Sequence, residues 1–235
     1  MGLPMFVAPD ERVPIARLLQ FLEHGERLAH DCARAQAALA PLPGMRRFLL
    51  SQARQEASHS LVFQGAILWL APRTLGTGPL LPALARYRVL IEEAIARKNF
   101  LETVLAEQVI LEGLGEAILG RIEEGLVTRA APFGRLRRIL LRQEEAHHRF
   151  GERLLERAMA AGETSVDALR DQGQEYMALI DEMVGTLGDL FESIDEHPER
   201  YLSQAKRTWP AWLVTPAESQ RERQSRDLHH HSHAQ

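Results

Sequence analysis

The chain has 235 residues, of which 45% are hydrophobic and 26% charged, a composition that is ordinary for a soluble globular protein with one substantial core. The formal net charge of -4 gives no reason to expect a nucleic-acid partner. A single cysteine, Cys32, excludes intrachain disulfides and cysteine-based zinc or iron–sulfur sites.

The sequence also indicates the cellular location that we expect. No uninterrupted apolar stretch approaches the length of a membrane span, and the N-terminus lacks a basic region followed by an apolar one. These features predict neither a transmembrane helix nor a signal peptide. The single cysteine fits a reducing compartment, so we expect a cytoplasmic protein.

Helix formers dominate the sequence and strand-like alternation is almost absent, which predicts an all-α protein. The predicted helices, in chain order, cover residues 15–39, 45–70, 81–124, 136–160 and 166–194. Turns with proline or glycine separate them, and the long third helix has a predicted break between Arg97 and Phe100. We expect an N-terminal extension over 1–14, a helical bundle over 15–200 and a partly disordered tail over 201–235.

The lengths of the connections predict how these helices pack. Short connections between the first and second helices, and between the third and fourth, make each pair an antiparallel hairpin. A longer path joins the second helix to the third. The sequence therefore predicts an antiparallel four-helix bundle with a long 2–3 crossover and a fifth, C-terminal helix.

Nearly the same hexapeptide occurs twice in the chain, as RQEASH at residues 54–59 and as RQEEAH at residues 142–147. Each copy contains Glu-x-x-His, and this spacing places both side chains on one face of a helix, about a turn apart. Metal ligands on helices have this geometry. Because each copy lies on the second helix of its hairpin, the chain looks like a degenerate internal duplication.

The apolar stripes of the helices predict which of these groups point inward. On the second helix, Glu56 lies on the stripe and His59 lies within about 60° of it. On the fourth helix, Glu144 lines up with the stripe, whereas Glu145 is rotated by about 100° toward the polar side. The predicted pairs are Glu56 with His59 and Glu144 with His147, and Glu145 and His148 are kept as alternatives.

The other two helices contribute one inward carboxylate each. On the third helix, Glu112 lies close to the apolar stripe, while α-helical geometry turns Glu107 away and leaves Glu116 marginal. On the first helix, Glu26 borders the apolar stripe. Glu23 is turned off that stripe and is kept as a reserve ligand.

Four carboxylates that meet inside one bundle require a source of positive charge, because the interior solvates isolated anions poorly. Two divalent cations would neutralise them, with each histidine as a neutral nitrogen ligand. A network of arginine–carboxylate pairs is the alternative. Arg54, Arg137 and Arg142 are available for such a network.

These residues, over roughly 15–160, give the chain a pattern that resembles the ferritin-like di-iron carboxylate superfamily. In that superfamily two helices supply one carboxylate each and the other two supply Glu-x-x-His. The resemblance implies two bound iron ions, with manganese or a mixed pair of iron and manganese as alternatives. The implied metal ligands are Glu26, Glu56, His59, Glu112, Glu144 and His147, with Glu23, Glu116, Glu145 and His148 in reserve.

Departures from individual relatives narrow the function that the resemblance implies. One cysteine leaves no room for the CxxC module of rubrerythrin-like proteins, and Phe63 stands where ribonucleotide reductase small subunits place a radical tyrosine. The fifth helix and the tail exceed what a ferritin cage subunit needs. We therefore expect an oxidase or oxygenase, a non-haem di-iron oxidoreductase, rather than a storage ferritin.

The expected enzyme activates O2 and oxidises a small, apolar organic substrate with the help of an electron donor. A homodimer is compatible with this expectation. Two other hypotheses stay open: a ferroxidase with a role in iron handling or stress protection, and a helical interaction module whose metal site is structural. Small residues beside the ligands either leave a cavity or allow close helix packing: Gly25, Ala29, Gly113, Gly115 and Gly151. The tail histidines His229, His230, His231 and His233 are excluded from the site.

Overall fold

The computed structural model describes residues 7–75, 82–129, 131, 133–193 and 196–214. Within these ranges the chain forms helices and no strand, which confirms the predicted all-α class. The α-helices are α1 (Arg12–Leu39), α2 (Pro43–Leu70), α3 (Pro82–Ala96), α4 (Phe100–Val104), α5 (Glu112–Thr128), α6 (Gly134–Ala160), α7 (Val166–Thr186), α8 (Gly188–Glu192) and α9 (Pro198–Thr208). A π-helical segment, Leu105–Leu111, joins α4 to α5, and a short 3-10 turn, Pro72–Thr74, follows α2.

Prolines shape the turn of the first hairpin. Ala40 and Leu42 have extended ψ angles of 123° and 141°, because each precedes a proline, which disfavours the helical conformation. Pro43 then occupies the first position of α2, where its missing N–H breaks no helical hydrogen bond. This short turn folds α2 back antiparallel on α1.

Four helical stretches surround the polar centre of the bundle: α1, α2, the continuous run of α4, the π-helical segment and α5, and α6. Buried hydrogen bonds connect them across the core. Gln36 of α1 bonds Gln108 of the π-helical segment at 3.0 Å, and Gln52 of α2 bonds Glu112 of α5 at 2.9 Å. The side chain of α7 residue Tyr176 bonds Glu102 of α4 at 3.1 Å, so α7 covers the bundle from outside.

The predicted break in the third helix is confirmed, and it separates α3 from α4. Lys98 has a left-handed φ of 58°, which a helix interior does not tolerate. Asn99 then caps α4, since its side-chain oxygen accepts a hydrogen bond from the backbone N–H of Glu102. The third bundle helix therefore begins at Phe100, and α3 belongs to the crossover between the two hairpins.

Both ends of the bundle extend beyond the predicted boundaries. The predicted extension over residues 1–14 overlaps the first helix, because α1 begins at Arg12, and Val7 is already buried. The predicted tail begins at residue 201, inside helix α9, and its residues after 214 lie outside the described residues. Tyr201, Ala205 and Trp209 are buried at four-residue intervals, a helical period that the surrounding charged residues obscure.

The C-terminal helix α9 also explains a glycine of α5. The indole nitrogen of Trp209 donates to the carbonyl oxygen of Ile110 at 3.3 Å. A Cβ atom at Gly113 would lie 2.9 Å from the ring of Trp209, so this position is close packing and not part of a cavity.

The predicted fifth helix is divided into α7 and α8, and the last predicted residue, Ile194, lies outside the described residues.

Gly151 of α6 is the second glycine that close packing requires. A Cβ atom there would lie 2.5 Å from Cβ of Gln108 and 3.1 Å from Cγ2 of Val109. We expect Gly151→Ala to lower the free energy of unfolding by about 1–3 kcal/mol, because the π-helical segment would have to move. Gly120→Ala on α5 is the matched control, since nothing lies within 4 Å of its added Cβ.

The control should instead raise the free energy of unfolding by about 0.5–1 kcal/mol, because alanine is the better helix former. Denaturant unfolding followed by circular dichroism measures both changes. Equal changes in the two variants would contradict the packing that we assign to Gly151.

None of the helices within the described residues is long and apolar enough to cross a membrane.

Candidate metal centre

The structure brings the six predicted residues together in two overlapping groups at the centre of the bundle. In each group the potential ligand atoms all lie within 4.8 Å of one another. The first group is Glu26, Glu56, His59 and Glu144, and the second is Glu56, Glu112, Glu144 and His147. Glu56 and Glu144 belong to both groups, so the arrangement has the form of two sites that share two carboxylates.

The two oxygens of Glu56 face different histidines. Its Oε1 atom lies 2.8 Å from Nδ1 of His147, and its Oε2 atom lies 3.1 Å from Nδ1 of His59. The Nδ1 atom of His59 also lies 2.8 Å from Oε1 of Glu144 and 3.2 Å from Oε2 of Glu26. Both imidazoles therefore present Nδ1 to the carboxylates, and Glu56 lies between the two histidines.

Several atoms of this cluster are buried and lie close to one another, but their geometry forms no hydrogen bond among the described residues. They are Oε1 and Oε2 of Glu56, Oε1 of Glu144 and Nδ1 of His147. An unpaired polar atom in a protein interior is strongly unfavourable, and a carboxylate oxygen more so than a neutral group. The donor set of oxygens and imidazole nitrogens is one that iron and manganese accept, so these residues fit a pair of divalent metal ions.

None of the arginines that the structure describes neutralises the cluster. Arg54 and Arg142 are exposed, and Arg137 pairs with Glu123 on α5. No arginine or lysine in the described ranges lies within 4.0 Å of a carboxylate oxygen in either group. The alternative of an arginine–carboxylate network is therefore wrong for the described part of the chain.

The pKa values of the cluster residues are shifted because the carboxylates are buried close to one another. Burial raises the pKa of Glu26 and of Glu144 well above the usual value, and repulsion from the neighbouring carboxylates raises both further. Burial also opposes ionisation of Glu56, but the contacts with His147 and His59 outweigh it and lower its pKa. For His147, burial is outweighed by Glu112 and Glu56, which raise its pKa to about 10. Without metal, protons have to neutralise the carboxylates, and bound cations would replace them.

The reserve ligands lie outside both groups. Glu23 is 2% exposed and therefore points inward, contrary to expectation, but it accepts hydrogen bonds from Ser60 and Gln64 at 2.9 and 2.8 Å. Glu116 lies 3.1 Å from Nδ1 of His148 and pairs with it. Glu145 is partly exposed and contacts Arg149. The tail histidines lie outside the described residues.

Glu107 is a further buried carboxylate beside the cluster, and the expectation that it faces away is wrong. It is fully buried, and Gln52 donates to both Glu107 and Glu112 at 2.9 Å. The π-helical segment causes the difference, since its hydrogen bonds join residues five apart and bring Glu107 onto the face of Glu112. Burial, followed by repulsion from Glu112, raises the pKa of Glu107 well above its usual value.

Gln52, Gln55 and Gln143 surround the cluster and were not predicted as part of it. The Oε1 atom of Gln55 lies 2.7 Å from Nε2 of His147, and that of Gln143 lies 2.8 Å from Nε2 of His59. One signal for the last two exists in the sequence, because the repeated hexapeptide contains glutamine directly before the ligand glutamate in both copies.

An apolar cavity of about 40 Å³ lies against the carboxylate side of the cluster. Its lining includes Glu26, Glu112 and Glu144 together with Phe21, Leu22, Gly25, Ala29, Leu84, Leu111, Leu114, Gly115 and Ile118. Among the described residues, nothing lies within 4 Å of a Cβ added at Gly25, and at Gly115 only Glu144 does, at 4.0 Å. Gly25, Ala29 and Gly115 therefore border open space beside the carboxylates, whereas Gly113 and Gly151 serve close packing.

The geometry of the bundle has a counterpart among solved structures. "Protein 19 with aldehyde deformylating oxidase activity from Synechococcus" matches with a TM-score of 0.70 over 92% of this chain and 97% of that chain, at 19% sequence identity. No family model and no curated protein matches the sequence. The chain has the ferritin-like helical-bundle fold, and its carboxylate and histidine cluster is compatible with a di-iron site.

Proposed function

We propose that the protein is a di-iron oxidase or oxygenase that uses O2 to oxidise a small apolar organic substrate. The observation that carries this proposal is a pair of four-residue groups that share Glu56 and Glu144, contain no arginine or lysine and adjoin an apolar cavity. Two divalent ions supply the charge that four buried carboxylates require. The same ligands also accept two manganese ions, or one iron and one manganese ion, as the alternative.

In this proposal each residue of the cluster has a defined role. Glu26 and His59 would hold one ion, Glu112 and His147 would hold the other, and Glu56 and Glu144 would be shared by both. Bound iron in its reduced state would supply the electrons for O2 reduction, and an electron donor would restore that state. The apolar lining of the cavity keeps water from the reacting groups.

The cavity also defines the substrate class that we propose. Apart from the three carboxylates that we assign to the metal ions, its lining is apolar, so it offers a substrate no other charged partner. A volume of about 40 Å³ holds only a few water-sized groups, so a longer substrate requires side chains to move. An aldehyde is the first compound to test, because the similar structure from Synechococcus is described by an activity on aldehydes.

The proposal is tested by turnover under controlled loading. Protein loaded anaerobically with Fe(II) is given a chemical reductant and linear aldehydes of increasing length, and is then exposed to O2. We expect O2 uptake that requires the substrate and that a chelator abolishes. Where the aldehyde loses its formyl group, the products should be formate and a hydrocarbon one carbon shorter. If another apolar compound is oxidised in the same assay and the aldehydes are not, the oxidase proposal stands and the aldehyde is excluded as its substrate.

Iron handling is the outcome that would replace this proposal. A ferroxidase oxidises Fe(II) far beyond two ions per chain without an organic substrate, and a storage protein forms a large closed oligomer. Light scattering and Fe(II) titration measure both properties. A chain that binds no metal at all would remove the oxidase and the ferroxidase together and leave a helical interaction module.

A further inference from the structure

The two copies of the repeated hexapeptide exchange glutamine contacts across the bundle. Gln55 of the first copy, on α2, contacts the histidine of the second copy, with 2.7 Å between its Oε1 and Nε2 of His147. Gln143 of the second copy, on α6, contacts the histidine of the first, with 2.8 Å between its Oε1 and Nε2 of His59. Each glutamine therefore serves the other helix and not the histidine four residues along its own.

These contacts decide which nitrogen of each ring carries the proton. A neutral imidazole has one N–H donor and one acceptor nitrogen, and an amide oxygen can only accept. Because Oε1 of the glutamine faces Nε2, that nitrogen is the donor when the ring is neutral, which is the form that binds a metal ion. In this neutral form the lone pair of Nδ1 is available to a metal ion, and Nδ1 is the atom that faces the carboxylates of the cluster.

We infer that Gln55 and Gln143 are positioning residues for the metal centre, each fixing the tautomer and the ring orientation of the histidine from the other repeat. This inference rests on the proposed di-metal centre. It also accounts for the glutamine that precedes the ligand glutamate in both hexapeptides. A partner on the second nitrogen of a ligand histidine raises its basicity and fixes its orientation, so losing it weakens metal binding by about 10–100-fold.

The surroundings of the two glutamines make them the principal acceptors for these nitrogens. A surface pocket of about 250 Å³ opens on the histidine side of the cluster, and Gln55, Gln143 and His147 line it. Water from this pocket could take the place of a missing amide, but it would not hold the ring in one orientation. The expected effect is therefore weaker binding and not complete loss.

The inference predicts a crossed pattern that an ordinary packing role would not produce. Gln55→Ala should weaken the ion held with His147 by about 10–100-fold and leave the ion held with His59 unchanged. Gln143→Ala should do the reverse. Damage to the helix that carries the substitution would instead affect the histidine on the same helix.

Anaerobic titration with Co(II), followed by calorimetry and paramagnetic proton NMR, measures this pattern. Ligation through Nδ1 leaves an exchangeable, strongly shifted Nε2 proton on each histidine. Glu26→Ala, which removes a carboxylate found only in the first group, assigns the signals to the two sites. In Gln55→Ala the Nε2 proton of His147 should broaden or exchange faster, and in Gln143→Ala that of His59 should do so.

Two further variants complete the test. Gln55→Glu keeps an acceptor oxygen at the same reach and should restore both the affinity and the Nε2 signal. Gln64→Ala is the matched control on α2, because its amide bonds Glu23 outside both groups, and it should change neither site.

Suppose that wild type binds two Co(II) ions. If Gln55→Ala then weakens neither ion, both ions equally, or only the ion held with His59, the positioning role is wrong, but the proposed metal centre stands. If wild type binds no Co(II), the proposed metal centre fails, and the inference fails with it. The two failures are therefore distinguished by the wild-type titration alone.

Discussion

Alanine in place of Glu56 or Glu144 should abolish the binding of both metal ions, whereas alanine in place of Glu26 or Glu112 should remove only one. The reason is that the first two residues belong to both groups of ligands and the last two belong to one group each. Metal analysis after anaerobic loading and desalting should therefore give two ions per chain for wild type, none for the shared pair and one for the unshared pair. Glu145→Ala, at a partly exposed neighbour on α6, is the matched control and should retain two.

The same substitutions also separate metal loss from unfolding. Repulsion from Glu112 contributes to the raised pKa of Glu144, so ionisation of the metal-free cluster is costly. Glu144→Gln preserves the shape of the side chain and removes its charge. Metal-free Glu144→Gln should therefore be at least as stable as metal-free wild type in denaturant unfolding, although it no longer binds two ions. A folded Glu56 or Glu144 variant that holds both ions would overturn the assignment of these residues as bridging ligands.

Leucine at Gly25 should remove substrate oxidation while leaving two metal ions in place. Gly25 borders the apolar cavity beside the carboxylates, and nothing lies within 4 Å of an added Cβ there. The leucine side chain has room to extend into the space that we assign to the substrate. A displacement of about 1 Å from the reactive position can cost about 100-fold in rate, so kcat/KM should fall by about that factor or more.

The loss of activity in Gly25→Leu should not be accompanied by a loss of stability. Glycine inside a helix is less favourable than an ordinary residue by up to about 1 kcal/mol, so Gly25→Leu should not destabilise α1. Gly65→Leu on α2 provides the control, because Gly65 is an exposed helical glycine with nothing within 4 Å of its added Cβ. Steady-state kinetics on the substrate identified by the turnover assay, together with metal analysis, tests the pair. Full activity in Gly25→Leu would show that substrate enters elsewhere, for example from the pocket on the histidine side.

Local sequence features predict the helices and the inward direction of the six clustered residues. Proline and glycine act on their own neighbours, so the turn at residues 40–44 can be predicted without any tertiary contact. The break near Lys98 is also local, because Asn99 caps the helix that follows. Helical periodicity compares a side chain with the apolar residues of its own helix. This comparison is sufficient for Glu56 and Glu144, because α2 and α6 are regular α-helices from end to end.

The π-helical segment marks where that reasoning fails. A fixed rotation per residue directs Glu107 away from the core, but the wider turn of Leu105–Leu111 brings it beside Glu112. The burial of Glu23 is a second case, because Ser60 and Gln64 on α2 supply the hydrogen bonds that make its buried position tolerable. Both outcomes depend on groups distant in sequence.

The sequence by itself determined an all-α chain, two helical hairpins and six acidic and imidazole groups directed to one interior, since each of these follows from spacing along one helix. Only the tertiary structure decided that Glu56 and Glu144 are shared, that no described arginine reaches the cluster, and that Gln55 and Gln143 contact the opposite histidines. It also decided that Trp209 of the C-terminal segment fills the space above Gly113. Periodicity specifies the face of a helix, but which atoms meet across a core depends on the axial register and separation of helices far apart in the chain.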